Sequence, residues 1–143
     1  MQAEAVFGAA NLFALVGWLL LLVVPRWRWT RRLVISGAWS AVLSVIYLAL
    51  IAVHLPGAPG GFGSLAEVAA LFTHPMLLLA GWVHYLAFDL LVGAVETREA
   101  EKDGLPRLLL APCLVLTFLL GPIGLLVFLA VRSARRRRLA GIA

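Results

Sequence analysis

Four stretches of nearly unbroken apolar residues run along the chain, each about the 20 residues that cross hydrocarbon as a helix. The first runs from about Ala5 to Val24 and stops at Pro25; the second runs from about Leu33 to His54 and stops at Leu55-Pro56-Gly57. The third opens at Pro75, a favourable first-turn position for a residue without an amide hydrogen, and continues to about Thr97. The fourth runs from Pro106 to about Val131 and contains Gly121-Pro122-Ile123-Gly124. Backbone groups in lipid must find partners within their own segment, so the pattern predicts helices rather than strands. The expected fold is an all-α membrane protein: a four-transmembrane-helix bundle forming one domain over residues 1–143, with helices at about 5–24, 33–54, 75–97 and 106–131. Pro122 then kinks the fourth helix; the alternative is a re-entrant hairpin turning at 121–124.

The joint between the second and third segments, LPGAPGGFGSLAEVAALFTHP, is loop-like at its start and apolar at its end. Ser64 stands three residues before Glu67, the spacing of a capping box, which predicts a short interfacial helix from Leu65 to Phe72 over the bundle mouth. Glu67 is then either a cap or a group with chemistry of its own.

Composition agrees with a lipid setting. Hydrophobic residues make up 63% of the chain, the mean hydropathy is +1.01 and only 13% of residues are charged, which excludes an ordinary soluble domain. The first segment does not read as a cleaved signal peptide, because Glu4 precedes it and Val23-Val24-Pro25-Arg26 is a poor cleavage site. The pI of about 10.7 reflects arginines at helix ends: Arg26, Arg28, Arg31 and Arg32, then Arg98, Lys102 and Arg107, then Arg132 and Arg135 to Arg138. Trp27 and Trp29 alternate with the first cluster, as a headgroup-level anchor would. The expected partners are therefore membrane lipids and a hydrophobic small molecule, and not nucleic acid. Four full crossings would put the first and last clusters on opposite sides, although both favour the cytoplasm.

Chemistry concentrates in the third segment. His84 and Asp89 interrupt a lipid-soluble helix, where an ionisable group costs from about 3 to over 10 kcal/mol and is ordinarily paired or used. At 100° per residue, Trp82, Asp89 and Glu96 stack within about 20°, with Tyr85 and Gly93 beside them. His84 lies about 140° from Asp89, so the two face different neighbours or opposite walls of one cleft. The candidate acid–base pair is His84 and Asp89, with Trp82, Tyr85 and Phe88 as binding surface and Glu67, His74 and Glu96 in second rank. His54 and His74 fall at one side of the membrane and could share a metal, yet no carboxylate-rich helix completes a di-iron set. No metal or cofactor is expected. Cys113 is the lone cysteine, which rules out an intrachain disulfide, and the chain carries no Walker loop, HExxH or GxSxG motif.

The run GWVHYLAFDLLVGAVETRE from Gly81 to Glu99, with His74-Pro75, the loop Gly60-Gly61-Phe62-Gly63-Ser64 and the late Gly121-Pro122-Ile123-Gly124-Leu125-Leu126, resembles the abscisic-acid-deficient-four-like membrane family over nearly the whole chain. Trp82, His84 and Asp89 match its pattern, whereas Val95 and Glu99 stand where an aromatic residue and an aspartate are usual. The resemblance implies an isomerase like the plant members, which are associated with making neoxanthin from violaxanthin in plastid membranes. Opening such an epoxide to an allene moves one proton to oxygen and removes one from a polyene carbon, a task for neutral Asp89 and neutral His84. The absence of a transit-peptide pattern points to a bacterial cytoplasmic membrane, where the substrate need not be violaxanthin. Two other functions stay open: a non-catalytic membrane protein that binds pigment or lipid, and a metal or haem redox component.

Overall fold

A computed structural model describes residues 2–140, with side chains described as far as residue 137. All regular structure in these residues is helical: α1 (Gln2–Val23), a π-helical turn (Thr30–Ile35), α2 (Ala38–His54), α3 (Leu65–Phe72), α4 (Pro75–Lys102), α5 (Arg107–Leu120) and α6 (Pro122–Ala140). Helices α1 and α4 are long and apolar enough to cross a membrane, while α2 and α5 are shorter apolar helices. Large apolar side chains such as Leu12, Leu19, Val45, Leu48, Val53 and Leu119 cover the outside, a surface suited to lipid contact.

Helix α4 is the centre of the bundle and touches each of the other helices. Small residues make this possible. The Trp18 ring lies so close to Gly93 that a Cβ there would meet its Cη2 at 2.6 Å, and Gly17 fits against Leu90 and Trp39. Trp39 joins α2 to α1 by donating its Nε1 hydrogen to the Phe13 carbonyl at 2.8 Å and stacking on the Phe13 ring at 4.3 Å.

The short helix between α2 and α4 forms over Leu65–Phe72 for the predicted reason. Ser64 Oγ accepts from the Glu67 N–H at 3.2 Å, and Glu67 Oε2 accepts from the Gly63 N–H at 2.9 Å. Other boundaries differ from the sequence pattern. The second segment divides at Gly37, whose φ of +89° interrupts the helix, so a π-helical turn precedes α2. The third segment continues to Lys102, five residues past the expected end.

The largest correction is at the fourth segment, where a single kinked helix over 106–131 is not found. Gly121 ends α5 with φ +43° and ψ −99°, values that no continuing helix adopts, and α6 starts at Pro122. The chain then returns. Arg132 reaches Glu99 at 2.6 Å and Asp103 at 2.5 Å, and Arg136 reaches Asp103 at 2.8 Å, all beside the start of α5. A straight continuation would have carried Arg132 about 37 Å from Arg107. The arms pack closely enough that a Cβ on Gly124 would overlap the Thr117 backbone nitrogen and hydroxyl.

The hairpin brings the basic clusters together at one end. Arg31 pairs with Glu101 at 3.3 Å, and Arg107 Nη2 donates to the Leu22 and Val23 carbonyls at 2.8 and 3.2 Å. Hydrogen bonds from Arg136 and Arg132 hold the Asp103 carboxyl down at about 2. Arg138, counted above with the tail cluster, lies outside the residues whose side chains are described.

Candidate functional site

The side chains of α4 divide between two faces. On one face, three polar groups meet the α5–α6 hairpin. Glu96 is fully buried, and both its carboxyl oxygens lie within hydrogen-bond distance of Thr117 Oγ1, at 2.9 and 3.0 Å. Tyr85 points its hydroxyl at the Phe118 carbonyl at 3.5 Å. Asp89, halfway along α4, faces Gly121 at the hairpin tip.

On the other face, His84 looks toward α2. Its ring lies edge-on to Tyr47 at 5.3 Å and stacks on Phe88 at 4.6 Å. Here α2, α3 and α4 border a partly open apolar cleft of about 280 Å³. Leu77, Gly81 and His84 form its α4 wall, Tyr47 and Ile51 its α2 wall, and Leu71 and Phe72 of α3 its roof, with Phe62 at the edge. The spacing of Leu77, Gly81 and His84 gives the cleft a run of about 10 Å along α4. His84 and Tyr47 are therefore protonic groups in a wall that is otherwise apolar, the composition of a ligand pocket with a few oriented polar contacts.

The structure does not bring His84 and Asp89 together. They are about 140° apart around α4, and each is held by a different neighbour, α2 in one case and the hairpin in the other. Of the three aromatic candidates, Phe88 adjoins His84, Tyr85 belongs to the hairpin face and Trp82 faces α1. Trp82 Nε1 donates to Asn11 Oδ1 at 3.1 Å, and its ring borders a second apolar groove with Phe7, Glu4 and Leu78. Glu67 is engaged in the α3 cap. His54 and His74 lie with ring centroids 5.5 Å apart near the bundle end opposite the arginines. Among the described residues, no group of three or more His, Cys, Asp or Glu side chains is arranged to hold a metal ion.

Tyr47, Asn11 and Thr117 were not singled out by sequence reasoning. Each is a polar atom in an apolar segment, the same signal that drew attention to His84, but weaker because hydroxyl and amide groups carry no charge.

The described residues are all-helical, with two helices long and apolar enough to cross a membrane, an apolar cleft and two separate polar faces on the central helix. The chain belongs to the ABA DEFICIENT 4-like family, which matches residues 5–128. No curated protein and no solved structure matches it.

Proposed function

We propose that the protein is an integral membrane isomerase of the neoxanthin-synthase type, acting on the ring end of a carotenoid or related isoprenoid. In this reading α1, α2 with its π-helical turn, and α4 cross the bilayer. The α5–α6 hairpin enters without crossing, since the 14 residues of α5 span about 21 Å of a hydrocarbon core about 30 Å thick. The hairpin supports this topology by bringing the arginine clusters to one end, which faces the cytoplasm by the positive-inside rule. The arrangement replaces four full crossings with three and a re-entrant pair.

The observation that carries the functional reading is the position of His84 and Tyr47 in an apolar cleft roofed by α3. A long hydrocarbon dissolved in the acyl chains reaches such a cleft without passing through water. Neutral His84 takes the proton from the polyene carbon next to the epoxide, and that C–H electron pair becomes the new allene bond. The C–O bond opens, its electrons stay on oxygen, and the Tyr47 hydroxyl supplies the proton. Return of the proton from His84 to Tyr47 restores both groups, with no redox change. Tyr47 thus takes the acid role that the sequence assigned to Asp89, and Asp89 becomes a positioning residue at the hairpin tip. Exclusion of water protects the electron-deficient carbon formed as the epoxide opens.

Lipid-soluble molecules extracted from the purified protein and identified by mass spectrometry test the ligand class. Wild type retains an isoprenoid, and Gly81→Leu, which fills the cleft beneath Phe72, loses it. Retention of an isoprenoid without turnover of any epoxide would favour a non-catalytic pigment-binding protein. Equal retention by both forms would place the ligand elsewhere.

A further inference from the structure

At the arginine end, the loop after α1, the end of α4 and the start of α5 surround a socket of about 370 Å³. Its floor is made by buried Thr97, Ala100, Leu105 and Leu110, and its charged lining is Arg26, Arg31 and Arg107 with Glu101. Three guanidinium groups against one carboxylate leave the lining net positive. Arg31 already pairs with Glu101 at 3.3 Å, so the remaining positive charge belongs to Arg26 and Arg107.

Arg107 is fixed in place. Its Nη2 donates to the last carbonyls of α1, at Leu22 and Val23, which uses one of its three nitrogens and sets the guanidinium plane. A planar fork held in this way suits bidentate recognition of phosphate oxygens. A second groove, lined by Val23, Val24, Pro25, Trp27, Arg26 and Arg107, shares both arginines with the socket. Val23 and Trp27 are more than half exposed, at 64% and 51%, and turn an apolar surface outward beside the charge.

We infer that this socket binds the phosphate of an anionic phospholipid between Arg26 and Arg107, with an acyl chain lying along Val23, Val24 and Trp27. The socket alone would suit any phosphate. The adjoining apolar groove selects a lipid source over the free ion, because inorganic phosphate has nothing to bury there. The assignment is independent of the cleft at His84, which opens near the other end of α4. A lipid held here would bridge α1 and α5 and brace the base of the hairpin.

The test is native mass spectrometry of the full chain in a mild detergent, titrated with phosphatidylglycerol, phosphatidylcholine or inorganic phosphate. One phosphatidylglycerol should bind saturably, at least 10-fold more tightly than phosphatidylcholine. Arg26→Gln and Arg107→Gln should each weaken it 10-fold or more, while Arg137→Gln in the tail should not. Arg26→Gln is the decisive variant, since it leaves the Arg107 bonds to α1 intact. Unchanged affinity in Arg26→Gln, or equal binding of the two lipids, overturns the assignment. Competition by inorganic phosphate at the concentration where the lipid binds also overturns it, in favour of a free-phosphate site.

Discussion

The carboxylate of Asp89 lies against Gly121: a Cβ on that glycine would stand 2.9 Å from Oδ1 and 3.0 Å from Oδ2. An acid at the middle of the central helix thus meets the turn at which the α5–α6 hairpin reverses. Gly121 has φ +43°, a conformation that side-chain-bearing residues adopt only with strain. Backbone and contact both require glycine here. Gly121→Ala should destabilise the protein by about 1–3 kcal/mol, read as a lower unfolding midpoint in detergent. Asp89→Ala in the same background should recover part of that loss by removing the group that the methyl strikes.

Glu96 depends on Thr117 in a fully buried setting. Thr117→Val leaves the carboxyl without that partner and should cost about 1–3 kcal/mol, the usual penalty for an orphaned buried polar group. Glu96→Gln keeps an acceptor for the hydroxyl and should cost less. A double-mutant cycle on thermal stability measures the coupling, and a value near zero would remove Glu96 from the hairpin contact.

The hairpin makes a topological prediction. In a Cys113→Ala background, single cysteines at positions 28 and 137 should be labelled by an impermeant thiol reagent from the same side of the membrane, and one at position 62 from the other. Labelling of 137 together with 62 would restore a fourth full crossing.

The Asp103 cluster gives a pH prediction. Its carboxyl is held at about 2 by Arg136 and Arg132, below the ordinary value of about 3.9. The folded form holds the proton more weakly than the unfolded chain does. The contribution is therefore present above about pH 4 and is lost as pH falls toward about 2. Asp103→Asn should remove this dependence from unfolding curves measured across that window.

The sequence made the all-helical fold, the α3 lid and the polar stripe of α4 legible, because each follows from local spacing. Seven residues between Asp89 and Glu96 put both on one face whatever surrounds them, and Ser64 with Glu67 caps α3 through bonds within four residues. The hairpin was less legible. A Gly-Pro-x-Gly run in an apolar segment reads first as a kink, because each arm of a reversal is short for a full crossing, and it takes contacts distant in sequence, such as Arg132 with Glu99 and Asp103, to show the reversal. The site was half legible for the same reason. Helical angles separate His84 from Asp89 but do not say what fills the other wall, and Tyr47 comes from a different helix.

Turnover of an epoxy-carotenoid by the protein reconstituted in lipid tests the central claim most directly. Wild type should convert the epoxide to an isomer of unchanged mass, and His84→Ala should lower the rate at least about 100-fold while keeping the wild-type unfolding midpoint. Conversion by a folded His84→Ala at the wild-type rate would contradict the account.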